Sequence, residues 1–154
     1  MYILAEVLIS MEKICYTHSA GETYELAKRL GENAKGGEVF CLIGDLGTGK
    51  TVFAQGFAAG VGVTEPVNSP TFTIVQVYDE GRLPLYHFDV YRIGDSEEMY
   101  EIGYEEYIYG DGVCLIEWAD IIKDILPDEY TEIHIDKDMS IDPDYRIITI
   151  TEHI

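Results

Sequence analysis

Runs of apolar residues along the chain follow two different periods, and together they predict an alternation of strands and helices. Short runs rich in β-branched and aromatic residues predict strands at residues 11–16, 38–43, 71–78, 83–91, 113–116, 132–136 and 145–151. The run 113–116 is apolar throughout, which is typical of a central strand buried on both faces.

Four helices are predicted between these strands. They fall at residues 19–35, 52–59, 97–109 and 119–125. In the first helix Ser19 and Glu22 have the spacing of a capping box, and apolar residues then recur on one face. Gly60 is predicted to end the second helix, and Gly103 interrupts the third.

The strands predicted at 71–78 and 83–91 are joined by a turn at 79–82. This turn is short enough to make the two strands an antiparallel hairpin. With the turn centred between Glu80 and Gly81, Phe72 lies opposite about Asp89, within one or two residues. The segment 69–71 and Asp89 are therefore expected at the same end of the sheet. The last two strands are predicted to form a second hairpin.

The loop between the second strand and the second helix carries the main chemical motif. It fits the P-loop pattern of two glycines five positions apart, followed by Lys and then Ser or Thr, in the strand–loop–helix context that the motif requires. A chance match over a chain of this length has a probability of about 0.6 %. The predicted nucleotide-binding residues are Gly44, Asp45, Leu46, Gly47, Thr48, Gly49, Lys50 and Thr51.

Each residue type in this loop has a physical role. Glycines let backbone N–H groups approach phosphate oxygens, and the helix that follows directs its positive end at the same oxygens. Lys50 is predicted to reach the β- and γ-phosphates of ATP, and the Thr51 hydroxyl to bind Mg²⁺. No other cation is expected near the loop, so Lys50→Ala is predicted to abolish ATP binding. The fold class predicted is α/β, a P-loop NTPase-like mixed sheet with a parallel centre and antiparallel hairpins, flanked by helices.

Composition and charge limit the possible partners. The chain has 154 residues, enough for one domain, and ten Lys and Arg against 29 Asp and Glu give a net charge of −19. This negative charge repels nucleic acid and favours a basic protein partner. A solvated acidic surface with no role in binding is an equally good interpretation. The three cysteines have no metal-ligand spacing and fit buried, reduced thiols in a cytoplasmic protein.

Two acids follow apolar strands and are candidates for the chemistry. Asp89 and Glu117 each end such a run, where ligands of open α/β sheets bind, and either could hold Mg²⁺ or position an attacking water. His87 shares a strand face with Asp89, so it could orient that acid, but a packed structural histidine is also consistent with the sequence. Trp118 fits either the core or a cover for the nucleotide, and Arg92 either a γ-phosphate contact or a salt bridge.

Taken together, several sequence blocks resemble the bacterial TsaE (YjeE) family. In addition to the P-loop they are Ser69-Pro70-Thr71-Phe72, Tyr86-His87-Phe88-Asp89-Val90-Tyr91-Arg92, Leu115-Ile116-Glu117-Trp118 and Glu132-Ile133-His134-Ile135. The resemblance covers nearly everything from Met11 onward. It implies a leader at residues 1–10 outside the family pattern and a single P-loop ATPase domain at 11–154. Residues 136–144 match poorly, and no nucleotide contact is carried over from them.

The resemblance also implies a function and roles for individual residues. The family is a small P-loop ATPase that, with TsaD and TsaB, supports threonylcarbamoyl modification of adenosine beside the tRNA anticodon, and its slow ATP hydrolysis is thought to reset the complex. Thr51 and Glu117 would hold Mg²⁺, Asp89 would be needed for hydrolysis, and Ser69 to Thr71 would act as a switch near the γ-phosphate. The tRNA would be bound by the partners rather than by this acidic chain.

Two other interpretations of the P-loop are open. A small-molecule kinase would clamp phosphates with several arginines, whereas this chain has four scattered ones. A non-hydrolysing sensor would bind its partners in an ATP-dependent way without needing Asp89.

Overall fold

Seven strands form one mixed sheet in the computed structural model, which describes residues 10–154. The strands are β1 Ser10–Thr17, β2 Val39–Ile43, β3 Val75–Tyr78, β4 Leu85–Asp89, β5 Val113–Glu117, β6 Tyr130–Lys137 and β7 Arg146–His153. Their order across the sheet is β1-β7-β6-β2-β5-β4-β3.

The centre of the sheet is parallel. Strand β2 pairs in parallel with both β5 and β6, and β4 pairs in parallel with β5. The hairpins β3–β4 and β6–β7 are antiparallel, as is the pair β1–β7. Every residue of β5 is buried. The predicted α/β class, with a parallel centre and antiparallel hairpins, is therefore confirmed.

Helices cover both faces of this sheet. They are α1 Ala20–Asn33, α2 Lys50–Val61, α3 Glu98–Glu101, α4 Tyr104–Ile108 and a 3₁₀ helix at Ala119–Ile125. Half of the predicted capping box is present: the Glu22 N–H donates to Ser19 Oγ at 3.1 Å, while the Glu22 carboxylate accepts at 3.0 Å from the N–H of His18, the residue before the cap, rather than from Ser19.

Two apolar clusters lie on opposite faces of the sheet. Alternate residues of β2 supply both, since Phe40 and Leu42 pack on one side against α1 and α2, while Cys41 packs on the other beside α3, α4 and the 3₁₀ helix. All three cysteines are free thiols, and burial raises the pKa of Cys41 and of Cys114. These two buried thiols are therefore unreactive core residues.

The prediction that Gly60 ends the second helix is wrong. Helix α2 continues to Val61, and Gly62 forms its cap with φ +106°. Gly60 instead lies against α1, where a Cβ at this position would sit 2.1 Å from the Lys28 carbonyl oxygen. The residue is glycine because the two helix backbones approach each other closely, not because the helix stops.

The prediction of a strand at 71–78 is too long at its start. Residues 71–73 form a turn, and the strand begins at Val75, which pairs with Phe88. Asp89 then lies opposite Ile74, whose carbonyl accepts from the Asp89 N–H at 2.8 Å. The register differs by two residues from Phe72 opposite Asp89, which is within the range predicted, and the 69–71 loop lies beside Asp89 as expected.

Two further points concern the helices and the N-terminal segment. As predicted, Gly103 interrupts the third helix, which becomes two short helices, and the fourth predicted helix, at residues 119–125, is a 3₁₀ helix. Of the predicted leader, residues 1–9 lie outside the described part of the chain, and Ser10 is the first residue of β1. Within the described residues, no helix is both long enough and apolar enough to span a membrane.

Candidate nucleotide-binding site

The loop between β2 and α2 has the backbone of an anion-binding site. Gly47 and Gly49 have φ of +77° and +100°, and Gly49 caps α2 without any side-chain hydrogen bond to the first helical amides. Gly44 is closely confined, because a Cβ there would lie 2.8 Å from the Ile135 carbonyl oxygen. The first N–H groups of α2 are thus left free for an anion.

Lys50 is fixed at the mouth of this loop. Its ammonium group donates to the carbonyl oxygens of Gly44 and, at 2.8 Å, of Asp45, and lies 4.1 Å from the centre of the Trp118 ring. Burial lowers the pKa of Lys50, and the nearby Glu117 acts in the opposite direction. Within residues 10–154 it forms no ion pair, so its charge is available to a ligand.

The two predicted acids lie side by side. Asp89 ends β4, Glu117 ends β5, and the two residues are register partners in adjacent parallel strands. Both are buried, with exposed fractions of 6 % and 2 %. Burial raises the pKa of Asp89, and the Tyr91 N–H that donates to its carboxylate at 3.0 Å opposes that rise.

A cavity of about 570 Å³ joins the loop to these acids. Among the predicted site residues it is lined by Leu46, Gly47, Thr48, Gly49, Lys50, Thr51, Thr71, Asp89, Glu117 and Trp118. Gly44 and Asp45 do not line it, and they act by holding Lys50 through their carbonyl groups. A larger groove of about 1070 Å³ between β1, β7 and α1 contains none of the predicted site residues.

Two cations near the loop were missed from the sequence. The Arg146 guanidinium donates to the Thr48 carbonyl oxygen at 2.7 Å, and the Lys137 ammonium lies 3.2 Å from where a Cβ on Gly47 would be. The expectation that Lys50 has no neighbouring cation is therefore wrong. Both residues flank the segment 138–145, and the only sequence signal was a pair of basic residues in an acidic stretch.

Part of the cavity lining was also not anticipated. Ala20 and Thr23 of α1 line the cavity, as do Asp144 and Arg146. These residues come from opposite ends of the chain, and β7 lies between β1 and β6 in the sheet. The cavity is therefore lined by more than the P-loop and the two acids.

Backbone strain in the described part of the chain is concentrated at this site. Ile74 and Trp118 are its only non-glycine residues with positive φ, at 68° and 63°. Such conformations are costly for bulky side chains and are typical of functional sites. Trp118 follows Glu117 directly and lines the cavity, while Ile74 follows the 69–73 segment and its carbonyl accepts from the Asp89 N–H.

The structure also shows the surroundings of three side chains whose roles the sequence left open. His87 contacts Glu117 rather than Asp89, which corrects the idea that it orients Asp89. Arg92 forms no ion pair within residues 10–154, and its guanidinium lies 4.6 Å from the centre of the Phe72 ring. Trp118 is half-buried: it packs against the apolar cluster that contains Cys41 and also lines the cavity.

The residues at this site fit a hard divalent cation bound together with phosphates. The candidate ligands are the Thr51 hydroxyl and the carboxylates of Glu117 and Asp89, all of them oxygen donors. Within residues 10–154, no group of three or more His, Cys, Asp or Glu side chains could hold a metal ion alone. Mg²⁺ typically takes one or two carboxylates and completes its shell with phosphate and water.

Comparison with known proteins agrees with this geometry. Residues 17–146 match a family model described as threonylcarbamoyl adenosine biosynthesis protein TsaE. The tRNA threonylcarbamoyladenosine biosynthesis protein TsaE of Bacillus subtilis is 54 % identical over 114 residues, covering 74 % of this chain and 71 % of that protein. The protein of the same name from Treponema pallidum is 45 % identical over 117 residues, covering 76 % of this chain and 85 % of that protein.

The fold also matches a solved structure. The crystal structure of Bacillus subtilis YdiB superposes with a TM-score of 0.80 at 42 % sequence identity. The superposition covers 95 % of this chain and 88 % of that one.

Proposed function

The chain belongs to the TsaE family, and from that membership and the geometry of its cavity we propose that it is a Mg²⁺-dependent ATPase that supports threonylcarbamoyl modification of tRNA adenosine. In this proposal it acts in the cytoplasm with TsaD and TsaB, and its slow hydrolysis of ATP resets their complex. One observation carries the proposal: two buried acids lie side by side at the ends of β4 and β5, in the same cavity as a P-loop lysine.

The first part of the proposal is ATP binding. The free N–H groups at the start of α2 and the Lys50 ammonium would contact the β- and γ-phosphates. With the phosphates at the loop, the nucleoside would occupy the part of the cavity that Thr23 and Arg146 line. Trp118 would stay under Lys50 and exclude water from that side of the phosphates.

Thr51 and Glu117 would hold Mg²⁺, which when bound neutralises phosphate charge and assists departure of the leaving phosphate. Asp89, the neighbour of Glu117, would accept a hydrogen bond from the attacking water and orient it toward the γ-phosphate. Burial, which raises the pKa of Asp89, also makes it a better proton acceptor. Lys50 and Thr71 would stabilise the charge that develops on the transferred phosphoryl group.

The second part of the proposal is partner binding at the mouth of the cavity. Large apolar side chains are exposed there, with Leu46, Phe72 and Tyr91 at 71 %, 84 % and 49 %. Solvent-exposed aromatic residues around a site are characteristic of protein interfaces. A partner that covers this mouth would exclude bulk water while the attacking water stays on Asp89, which would strengthen the electrostatic interactions in the cavity, so ATP hydrolysis is expected to be weak alone and faster with the partners. The net charge of −19 also argues that the partners, not this chain, hold the tRNA.

The decisive experiment compares Asp89→Asn with Asp79→Asn, a control in the exposed turn between β3 and β4. We expect Asp89→Asn to bind ATP with normal affinity by calorimetry but to release phosphate at least 100-fold more slowly in the presence of TsaD and TsaB, because the water loses its orienting acid. The control should retain both properties. Normal phosphate release by Asp89→Asn would refute the assigned role of this acid.

The same variant separates hydrolysis from a sensing role. If Asp89→Asn binds ATP, loses phosphate release and still supports the modification in cells, the protein is an ATP-dependent partner-binding switch. A pull-down with TsaD and TsaB, with and without ATP, tests the partnership itself. Equal recovery of these proteins with an unrelated bait would contradict it.

A further inference from the structure

His87 is a buried histidine whose ring is aimed at the predicted metal-binding acid. The residue is completely buried in β4, and its Nε2 lies 2.6 Å from Glu117 Oε2. Its other ring nitrogen, Nδ1, is buried and has no hydrogen-bond partner among residues 10–154. A buried polar atom without a partner is costly, so the contact with Glu117 must offset that cost.

The chemistry of the two groups fixes the tautomer of the ring. An ionised carboxylate only accepts hydrogen bonds, so the nitrogen that faces Glu117 must carry the proton. Nδ1 then has a bare lone pair, whereas the opposite tautomer would bury an unpaired N–H and place two lone pairs against each other. His87 is therefore an N–H donor at Nε2 in the folded protein.

Glu117 receives a second donor on the same oxygen. The Ser69 hydroxyl donates to Oε2 at 3.0 Å, while Oε1 accepts no hydrogen bond from residues 10–154. Two donors on one carboxylate oxygen fix the rotation of the whole group. The free oxygen, Oε1, is then available to the cavity that Glu117 lines.

We propose that His87 is the positioning residue of the metal site: it clamps Oε2 of Glu117 so that Oε1 is held in place for the divalent cation. This proposal rests on the proposed function, because it takes Glu117 as a Mg²⁺ ligand. Outer-shell partners of metal ligands typically change metal affinity by about 10–100-fold when they are lost. His87 would do this from inside the sheet, and because it does not line the cavity it would touch neither phosphate nor cation.

The test measures cation affinity rather than turnover. Mn²⁺ replaces Mg²⁺ as a spectroscopic probe, and its affinity for the ATP-bound protein is read by electron paramagnetic resonance. In His87→Leu, the donor is lost and we expect Mn²⁺ affinity to fall about 10–100-fold. ATP affinity in EDTA should stay within about twofold, because no phosphate contact changes.

Two conservative variants distinguish positioning from packing. His87→Gln places an amide N–H₂ near the position of Nε2 and should recover most of the Mn²⁺ affinity. His87→Asn places its amide near the position of Nδ1, too short to reach Glu117, and should remain weak. If Gln and Asn behave alike, or if thermal stability and not the donor position ranks the variants, His87 is only a packed residue and the proposal fails.

Glu117→Gln distinguishes the proposed role of His87 from the proposed metal site on which it rests. If Glu117→Gln leaves Mn²⁺ affinity unchanged, Glu117 is not a ligand and the proposed metal site is wrong. If Glu117→Gln weakens Mn²⁺ binding while His87→Leu and His87→Asn do not, the metal site stands and only the role of His87 is refuted. His87→Gln also provides a readout if the leucine variant does not fold.

Discussion

Replacing Gly60 with alanine tests the close contact between α1 and α2. The added Cβ would lie 2.1 Å from the Lys28 carbonyl oxygen and 2.7 Å from the Glu32 nitrogen, both of them backbone atoms of α1. Ordinary van der Waals contact begins at 3.4 Å, so the helices would have to separate by about 1.3 Å. No side-chain rotation can relieve this overlap.

The expected loss follows from two opposing effects. Overpacking a well-filled interior costs about 1–3 kcal/mol and occasionally more, and an overlap with two backbone atoms of α1 puts the cost here at about 3–4 kcal/mol. Alanine has a higher helix propensity than glycine, which raises the free energy of unfolding by about 1 kcal/mol. We therefore expect Gly60→Ala to lower the free energy of unfolding by about 2–3 kcal/mol, or about 4–12 °C in Tm for a chain of this size.

Gly21→Ala is the matched control. Gly21 lies in the first turn of α1, and an added Cβ there would meet only Ser19 Oγ, at 3.7 Å. This variant gains helix propensity without a clash, so its stability should rise by up to about 1 kcal/mol. Urea unfolding followed by far-ultraviolet circular dichroism measures both changes.

The two variants give opposite signs for the same chemical change. If Gly60→Ala is as stable as the parent chain or as Gly21→Ala, the helices are not in backbone contact and the account of α2 packing is wrong. The result also bears on the site, because Lys50 and Thr51 form the first turn of α2.

Three further outcomes are expected. Lys50→Ala should weaken ATP binding by about 100–1000-fold in calorimetry, because its charge-assisted hydrogen bonds to the phosphates are lost at about 1.5–3 kcal/mol each. Some binding should survive because other cations flank the loop. Unchanged ATP affinity would contradict the role of Lys50 in phosphate binding. Arg82→Ala should lower the free energy of unfolding by about 1–3 kcal/mol, and Arg82→Lys by nearly as much. The reason is that the guanidinium donates to three carbonyl groups at the end of α1, at 2.6–3.1 Å. Equal thermal unfolding of the parent chain and both variants would refute this cap. The Glu80 carboxylate accepts hydrogen bonds from the N–H groups of Glu65 and Thr64, which lowers its pKa from 4.5. The stabilisation from these bonds is therefore present above pH 4.5 and disappears as the pH falls through the lowered pKa. Glu80→Gln should be less stable than the parent chain at pH 7 and equally stable in acid, and a constant difference at all pH values would exclude the mechanism.

Local sequence was sufficient for the features that depend on spacing within one segment. The P-loop, the helix cap at Ser19 and the two strand-end acids each require only residue types at fixed separations, so their chemistry is readable in the chain. The fold class followed for the same reason, since periods of 2 and 3.6 residues distinguish strands from helices and short turns fix the hairpins.

Tertiary structure decided everything that depends on which elements become neighbours. The sequence placed Asp89 and Glu117 at strand ends, but only the order β2-β5-β4 made them adjacent, and only that pairing turned His87 toward Glu117. Arg146 reaches Thr48 across 98 positions of the chain, a separation over which no periodicity carries information. The role of Gly60 was predicted wrongly for the same reason. A glycine is required there because the backbone of α1 lies against it, and the sequence of α2 alone does not show which helix it will contact.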